Sequence, residues 1–215
     1  MDRVIDTPQL FALAAALGWA SGIRLYAVVL LTGLAGYSGF VELPHGLHVL
    51  QNPAVLIAAG FMCFVEFFAD KIPYVDTLWD TVHTLIRIPA GAALAAGALG
   101  ADGQTMAWVG AILGGTLAAT SHVTKLTTRA AVNTSPEPFS NIAVSLGEDG
   151  FVVFMLWLSA THPAMFAGVL VLSIAVAIVL VVTLYRFLRV VLGRLSQLLS
   201  GHVPQIPHVQ QDPGR

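Results

Sequence analysis

The sequence predicts an all-α fold, a polytopic transmembrane helix bundle of about six spans. Three observations carry that expectation. Hydrophobic residues make up 56% of the 215-residue chain and charged residues only 10%, with a mean hydropathy of +0.79; soluble domains carry about 25% charge. Apolar stretches of spanning length recur from about residue 9 to about residue 195. Charge and proline are gathered into two segments inside those stretches. The apolar runs leave no room for a second soluble domain, so residues 1–195 are expected to form one transmembrane domain and residues 196–215, with Gly201, Pro204, Pro207 and Pro213, a mobile tail. The formal charge of −2 gives no footprint for nucleic acid.

The chain starts Met1-Asp2-Arg3-Val4-Ile5-Asp6, without the basic region of a cleaved signal, and reads as the start of a retained membrane segment. The first apolar run, residues 8–40, is too long for one simple span and contains Gly18, Ser21, Gly22 and Arg24. It predicts either one long tilted helix broken near Ser21-Gly22 or two half-length pieces forming a re-entrant hairpin. Glu42 to Pro53 reads as an interfacial connection, and the second span follows from Ala54 to about Asp70.

A charged stretch, residues 71–88, separates that span from a third starting at Pro89, whose Gly and Ala residues suit close helix packing. After a turn at residues 101–104, a fourth span covers about 105–129, with Gly110, Gly114 and Gly115 on a small-residue face. A proline-rich break at 134–138 precedes a fifth helix, about 139–161. A turn at Thr161-His162-Pro163 leads to the most apolar span, 164–185, which emerges into Arg186, Arg189 and Arg194.

Basic residues set orientation. A cytoplasmic 186–194 end puts Lys125, Arg129, Lys71 and Arg87 on that side too, and six crossings then leave both termini cytoplasmic, in an inner-membrane setting. A re-entrant first run turns the N-terminus outward instead. Six crossings is the favoured count.

Helical spacing gives the charged segments their meaning. Asp76 is expected to cap a short helix, 77–87, on which Asp76, Asp80, His83, Thr84 and Arg87 form one polar stripe while Leu78, Val82, Leu85 and Ile86 fill the remaining surface. Glu66 and Asp70 lie one turn apart at the end of the second span, next to Lys71. In the second segment His122, Lys125 and Arg129 share a face. Ser135-Pro136-Glu137 reads as a helix start, and Asn141, Ser145 and Glu148 form another stripe, flanked by Asp149. The two halves, about 54–100 and 105–162, follow one pattern with little identity, as a two-fold repeat would. Paired broken helices around a central site are a transporter architecture.

Other readings remain open. Segment 71–88 as an amphipathic helix on the cytoplasmic surface leaves Asp80 and Arg87 hydrated. Structural ion pairs between Asp70, Lys71, Glu148 or Asp149 and the bases Arg87, Lys125 and Arg129 are a second alternative. Arg24, flanked by Ile23, Leu25 and Tyr26, needs a carboxylate, for which Glu66, Asp70 and Glu148 are the candidates, unless water or snorkelling serves it. His45 and His48 form a short-loop pair, His83 and His122 have the chemistry of proton carriers, and the lone Cys63 reads as a buried hydrophobe. No nucleophile motif, phosphate loop or HExxH pattern is present, so no cofactor or catalytic residue is implied.

Ser21-Gly22-Ile23-Arg24-Leu25-Tyr26, Ala69-Asp70-Lys71-Ile72-Pro73-Tyr74-Val75-Asp76, Arg87-Ile88-Pro89-Ala90-Gly91 and Ser135-Pro136-Glu137-Pro138-Phe139-Ser140-Asn141, with Glu66, Asp80, Lys125, Ser145, Glu148 and Asp149, give the chain its character. In these blocks it resembles a bacterial membrane family, domain of unknown function 4126, over roughly residues 18–150. The resemblance implies that the polar blocks define the family and brings no mechanism.

The function expected from the residues is a small transporter or channel. Its polar cavity opens to the cytoplasm and carries a small ion or polar solute between Arg24, Glu66, Asp70, Lys71, Asp76, Asp80, Arg87, Lys125, Arg129, Ser135, Glu137, Asn141, Ser145, Glu148 and Asp149. The alternatives are a flippase or intramembrane enzyme acting on a phospholipid headgroup, with Arg87, Lys125 and Arg129 on the phosphate, and a scaffold that binds a protein partner. The lipid bilayer is the constant partner, and the small-residue faces at 91–97 and 110–115 would allow a homo-oligomer.

Overall fold

A computed structural model describes residues 6–100, 103–134 and 138–199, and every regular element in them is helical. Helix α1 spans Thr7–Tyr37, a 3-10 helix His45–Gln51, α2 Pro53–Ala69, α3 Val75–Leu99, α4 Gln104–Val132, α5 Pro138–Thr161 and α6 Pro163–Leu199. The starts of α1 and α2 are locally encoded. Asp6 accepts from the Gln9 amide while Gln9 accepts from that of Asp6, closing a capping box. Asn52 caps the Ala54 amide just before Pro53 takes the first helical position.

Five helices (α1, α3, α4, α5 and α6) are long and apolar enough to cross a membrane, and α2 joins them if the 3-10 helix, which meets it at 69°, is counted with it. The chain is an integral membrane protein. Contacts give α1 a different meaning from the other five. Its backbone leaves helical geometry at Arg24, with φ −143° and ψ 75°. Before the break, Gly18 packs on Gly114 and Ser21 on Gly91. After it, Leu30 meets Gly60, Gly33 meets Leu50 and Leu56, and Gly36 meets Leu43 and Gln51. Gly46, about a turn before Leu50, sits on Gly97 at the far end of α3. Both ends of α1 therefore lie at one end of the bundle, and Arg24 is the tip of a hairpin.

The re-entrant alternative is the correct one, and the break falls at Arg24 rather than at Ser21-Gly22. With α1 turning back, α2 to α6 are left to cross, where the favoured count was six; by length and hydropathy alone, five or up to six spans are compatible, α1 among them. The glycine-rich end holds Thr7, the 3-10 helix, Gly100, Gly103 and His162; the charged end holds residues 70–74, Asn133, Thr134 and the Arg186 to Arg194 stretch.

Two further expectations are revised. Segment 71–88 is not a separate short helix ahead of a span at Pro89, because α3 runs unbroken from Val75 through Pro89 to Leu99. Proline is tolerated there as it is in other packed membrane helices, where neighbours support the backbone. Asp76 is not the cap; it lies in the first turn, and the cap position is Tyr74, whose φ of 69° is an uncommon left-handed conformation for an aromatic residue. The sixth helix continues past Tyr185 to Leu199, so residues 196–199 are helical, and the rest of the expected tail lies outside the described residues.

Close backbone contact fills the glycine-rich end. A methyl group on Gly18 would stand 2.6 Å from the Gly114 Cα, and one on Gly110 2.5 Å from the Ala95 oxygen. The small-residue faces around Gly91 and Gly110 are thus used inside the chain, joining α1, α3 and α4. The first half of α1 is the central element, with Ala14, Ala16, Leu17 and Ala20 completely buried.

Candidate functional site

The break in α1 frees carbonyls that a continuous helix would bond internally, and side chains of α4 take them. The Lys125 ammonium donates to the Ile23 oxygen at 3.1 Å and His122 Nδ1 lies 3.1 Å from the Gly22 oxygen, while one turn earlier, in the intact helix, Ser121 Oγ adds a bond to the Trp19 oxygen at 2.7 Å. The C-terminus of α2 receives cations in the same way. Arg129 donates to the Asp70 carbonyl at 2.9 Å and Lys71 to that of Phe67 at 3.0 Å. Positive groups at two helix C-termini match the negative ends of their dipoles.

Around these backbone ends the charged side chains form one continuous network. Lys125 Nζ lies 2.6 Å from Asp70, 3.2 Å from Asp80 and 3.6 Å from Glu148. Arg24 reaches Asp70 at 2.7 Å and Asp149 at 2.9 Å, and donates to Ser145 Oγ at 2.7 Å. Arg87 bridges Glu66 at 2.5 Å and Asp80 at 2.7 Å. Arg129 pairs with Glu148 at 2.7 Å, with Asp76 at 3.8 Å, and donates to Asn141 Oδ1 at 3.2 Å. Asn133 links Asp76 to Asn141, donating to the first at 2.9 Å and accepting from the second at 2.8 Å. Arg24, Arg87, Arg129, Asp70, Asp76, Asp80 and Asn141 are at most 1% exposed.

Each stripe read from spacing faces inward. Asp76, Asp80, His83 and Arg87 are buried while Leu78, Val82, Leu85 and Ile86 face outward. That excludes the surface-helix reading of segment 71–88. Structural ion pairing is what the geometry contains, with Asp70, Glu148 and Asp149 all engaged, and Arg24 takes Asp70 with Asp149 rather than Glu66's carboxylate. Lys71 stays at the rim, over the Phe67 ring and 3.2 Å from Ser145 Oγ. Ser135 and Glu137 lie outside the described residues.

Spacing alone passed over several participants. Asn133 continues the His122, Lys125, Arg129 face by one turn and carried that signal. Tyr26, whose hydroxyl is 3.1 Å from His83 Nε2, becomes visible only once the helices are packed, whereas Thr84, already on the α3 stripe, is 2.8 Å from His122 Nε2. His45 and His48 are in ring contact, and His48 Nε2 donates to the Leu43 oxygen at 2.9 Å, a local tie within the loop. Among the described residues no group of three or more His, Cys, Asp or Glu is placed to hold a metal.

An opening reaches the network from the side of α6. Helices α5 and α6 meet near the 161–163 turn, where Met155, Leu158 and Phe166 are buried, and part toward the charged end. Between them and α4 lies a groove of about 410 Å³ with apolar walls, among them Phe151, Leu172 and Leu180, that ends on Lys125 and Glu148.

No curated protein and no solved structure matches the chain. A family model does, over residues 11–183, which takes in most of α6 and so extends well beyond the 18–150 of the sequence resemblance. That match covers most of the 215 residues, and the chain belongs to the family described as domain of unknown function (DUF4126).

Proposed function

We propose that the protein is a small membrane transporter that moves a small ion or polar solute through the charged network. The observation that carries this reading is the hairpin tip at Arg24. A membrane helix is broken inside the bundle, and its freed carbonyls and neighbouring carboxylates are held by Lys125, His122 and Arg24 itself. Breaks of this kind within a bundle are how many transporters build a binding site. The glycine-rich end is sealed by backbone contact, so access is from the charged end. The exposed Arg186, Arg189 and Arg194 favour the cytoplasm for that end, in an inner-membrane setting. Because every acid of the network already touches a base, some of them sharing one, a solute is admitted by exchanging one ionic contact for another, which suits an alternating carrier better than an open pore.

The groove between α4, α5 and α6 favours a second reading, entry of a lipid headgroup from the bilayer, with acyl chains against Phe151 and Leu172 and the polar end at Lys125 and Glu148. Both readings are tested in proteoliposomes, by uptake of labelled alkali cations, amino acids and small carboxylates and by movement of fluorescent phospholipids between leaflets. Solute uptake that is lost in Asp80→Asn and Glu148→Gln supports the first, and lipid movement lost in the same variants supports the second. If these variants and Asp70→Asn fold and match the wild type in every assay, the network has no part in transport.

A further inference from the structure

The network does not balance its own charge. Lys71 and Asp149, both only partly buried, stand at the rim, Asp149 against Arg24 at 2.9 Å, and their charges cancel in the count. Inside them four bases, Arg24, Arg87, Lys125 and Arg129, face five acids, Glu66, Asp70, Asp76, Asp80 and Glu148. An uncompensated carboxylate in a membrane bundle is costly enough to be neutralised. An inorganic cation would need oxygens converging on one point. Here the carboxylates are aimed at separate guanidinium and ammonium groups, and no metal-holding group is present among the described residues.

We infer that the network carries one exchangeable proton, seated on the Glu66 carboxyl, and that this proton is the coupling ion of the transporter. Four of the five acids are well served. Asp70 touches Arg24 and Lys125, Asp80 touches Arg87 and Lys125, and Glu148 touches Arg129 and Lys125. Asp76 accepts from the Thr77 amide at 2.6 Å and from Asn133 at 2.9 Å, and Arg129 stands 3.8 Å away. An oxygen without a hydrogen-bond partner is found on Asp70, Asp76 and Asp80 as well as on Glu66, where it is Oε2; what sets Glu66 apart is that it is only 1% exposed and its carboxyl has a single partner among the described residues, the base Arg87, which it shares with Asp80.

The groups around Glu66 leave that seat in place. α1 contributes Arg24, bonded to the Glu66 carbonyl, and the Tyr26 hydroxyl; α2 itself carries Cys63 and Asp70; α3 presents Arg87, Asp80 and His83; α4 presents Lys125 and His122. Glu148 and Asp149 of α5 are one ion pair further away, beyond Arg24. His122 is the competing seat, but its Nδ1 lies 3.4 Å from an Arg87 nitrogen, and a second cation there would be repelled. On release the proton leaves the Glu66 oxygen for water and the carboxylate left behind remains on Arg87; no other bond changes.

The proton itself stands apart from the transporter reading, while its use in coupling rests on it, so the two are tested separately. Infrared spectroscopy of the full-length protein in lipid at neutral pH reads the first. The expected result is a protonated-carboxyl C=O band that shifts in D2O and with ¹³C-glutamate labelling. The same band stays put with ¹³C-aspartate, is indifferent to exchanging sodium for choline, disappears in Glu66→Gln and survives in Glu148→Gln. The labelling result on wild-type protein decides between Glu and Asp even if Glu66→Gln does not fold. No band, a band that follows the aspartate label, one that survives in folded Glu66→Gln, or one abolished by sodium would each overturn the proposal, the last in favour of an inorganic cation. Coupling is then read in vesicles as acceleration of solute uptake by an imposed proton gradient in wild type and its loss in Glu66→Gln. Uptake that ignores the gradient while the band is intact overturns the coupling role. A protein that moves no solute at all while showing the band counts against the transporter reading alone.

Discussion

Arg24 occupies the point where a helix loses its hydrogen-bond ladder, and its guanidinium ties three helices at once: Asp70 after α2, and Ser145 and Asp149 on α5. Arg24→Met should therefore take one of two close bases from buried Asp70 and the ion-pair partner from Asp149, and destabilise the protein by about 3–5 kcal/mol, measured by denaturant unfolding in detergent. Arg24→Lys should restore only part of that loss, because an ammonium cannot fork between two acids. At Lys125 the relation is reversed. Its ammonium fits among Asp70, Asp80, Glu148 and the Ile23 oxygen with almost no exposure, and the larger guanidinium of Lys125→Arg should cost about 1–3 kcal/mol through overpacking. A surface that merely docked a partner would tolerate that exchange with unchanged melting. Much at this scale was legible in sequence. An arginine among Ile23, Leu25 and Tyr26 had to find an acid, and Asp70 was among those named. Its pairing with Asp149 was not legible, because it depends on the hairpin carrying residue 24 against the first half of α5.

Among the elements, the stripes on α3, α4 and α5 could be read from helical spacing, since period alone decides which side chains share a face. Whether such a stripe faces water or protein is set by neighbours, and here the outward Leu78 and Leu85, 67% and 83% exposed, show that lipid lies on the other side. Pro89 misled for a related reason. Proline marks a helix boundary where water competes for the backbone, but α3 is pinned through it by Gly91 against Ser21 and Ala118. The glycines divide into two kinds that a substitution series should separate. Gly18→Ala meets the Gly114 backbone and should lower stability by about 1–3 kcal/mol. At Gly147 an added methyl has open space, so Gly147→Ala should leave melting unchanged or raise it by up to about 1 kcal/mol. Equal losses at both positions would mean that the α1–α4 contact is not what holds the hairpin in place.

For the molecule as a whole, the hairpin puts the two ends of the described chain at opposite ends of the bundle. Alternation of basic residues favoured six crossings, since charge patterning cannot distinguish a helix that passes through from one that turns back; the packing of Gly33 on Leu50 and of Gly46 on Gly97 can. The check is single cysteines at Thr7, Ser38, Gly103, Tyr74 and Thr134 in a Cys63→Ala background, labelled in sealed vesicles by an impermeant maleimide. Positions 7, 38 and 103 should react from one face, and 74 and 134 from the other. Labelling of 7 and 38 from opposite faces would restore the six-crossing topology. Helix α6 adds a consequence of length. Its 37 residues extend about 55 Å, against a hydrocarbon core of about 30 Å, so nearly half of it must stand clear of the bilayer interior. With Arg186, Arg189 and Arg194 exposed along that overhang, it is built like an outrigger, a rigid basic arm of the kind that anionic headgroups attract.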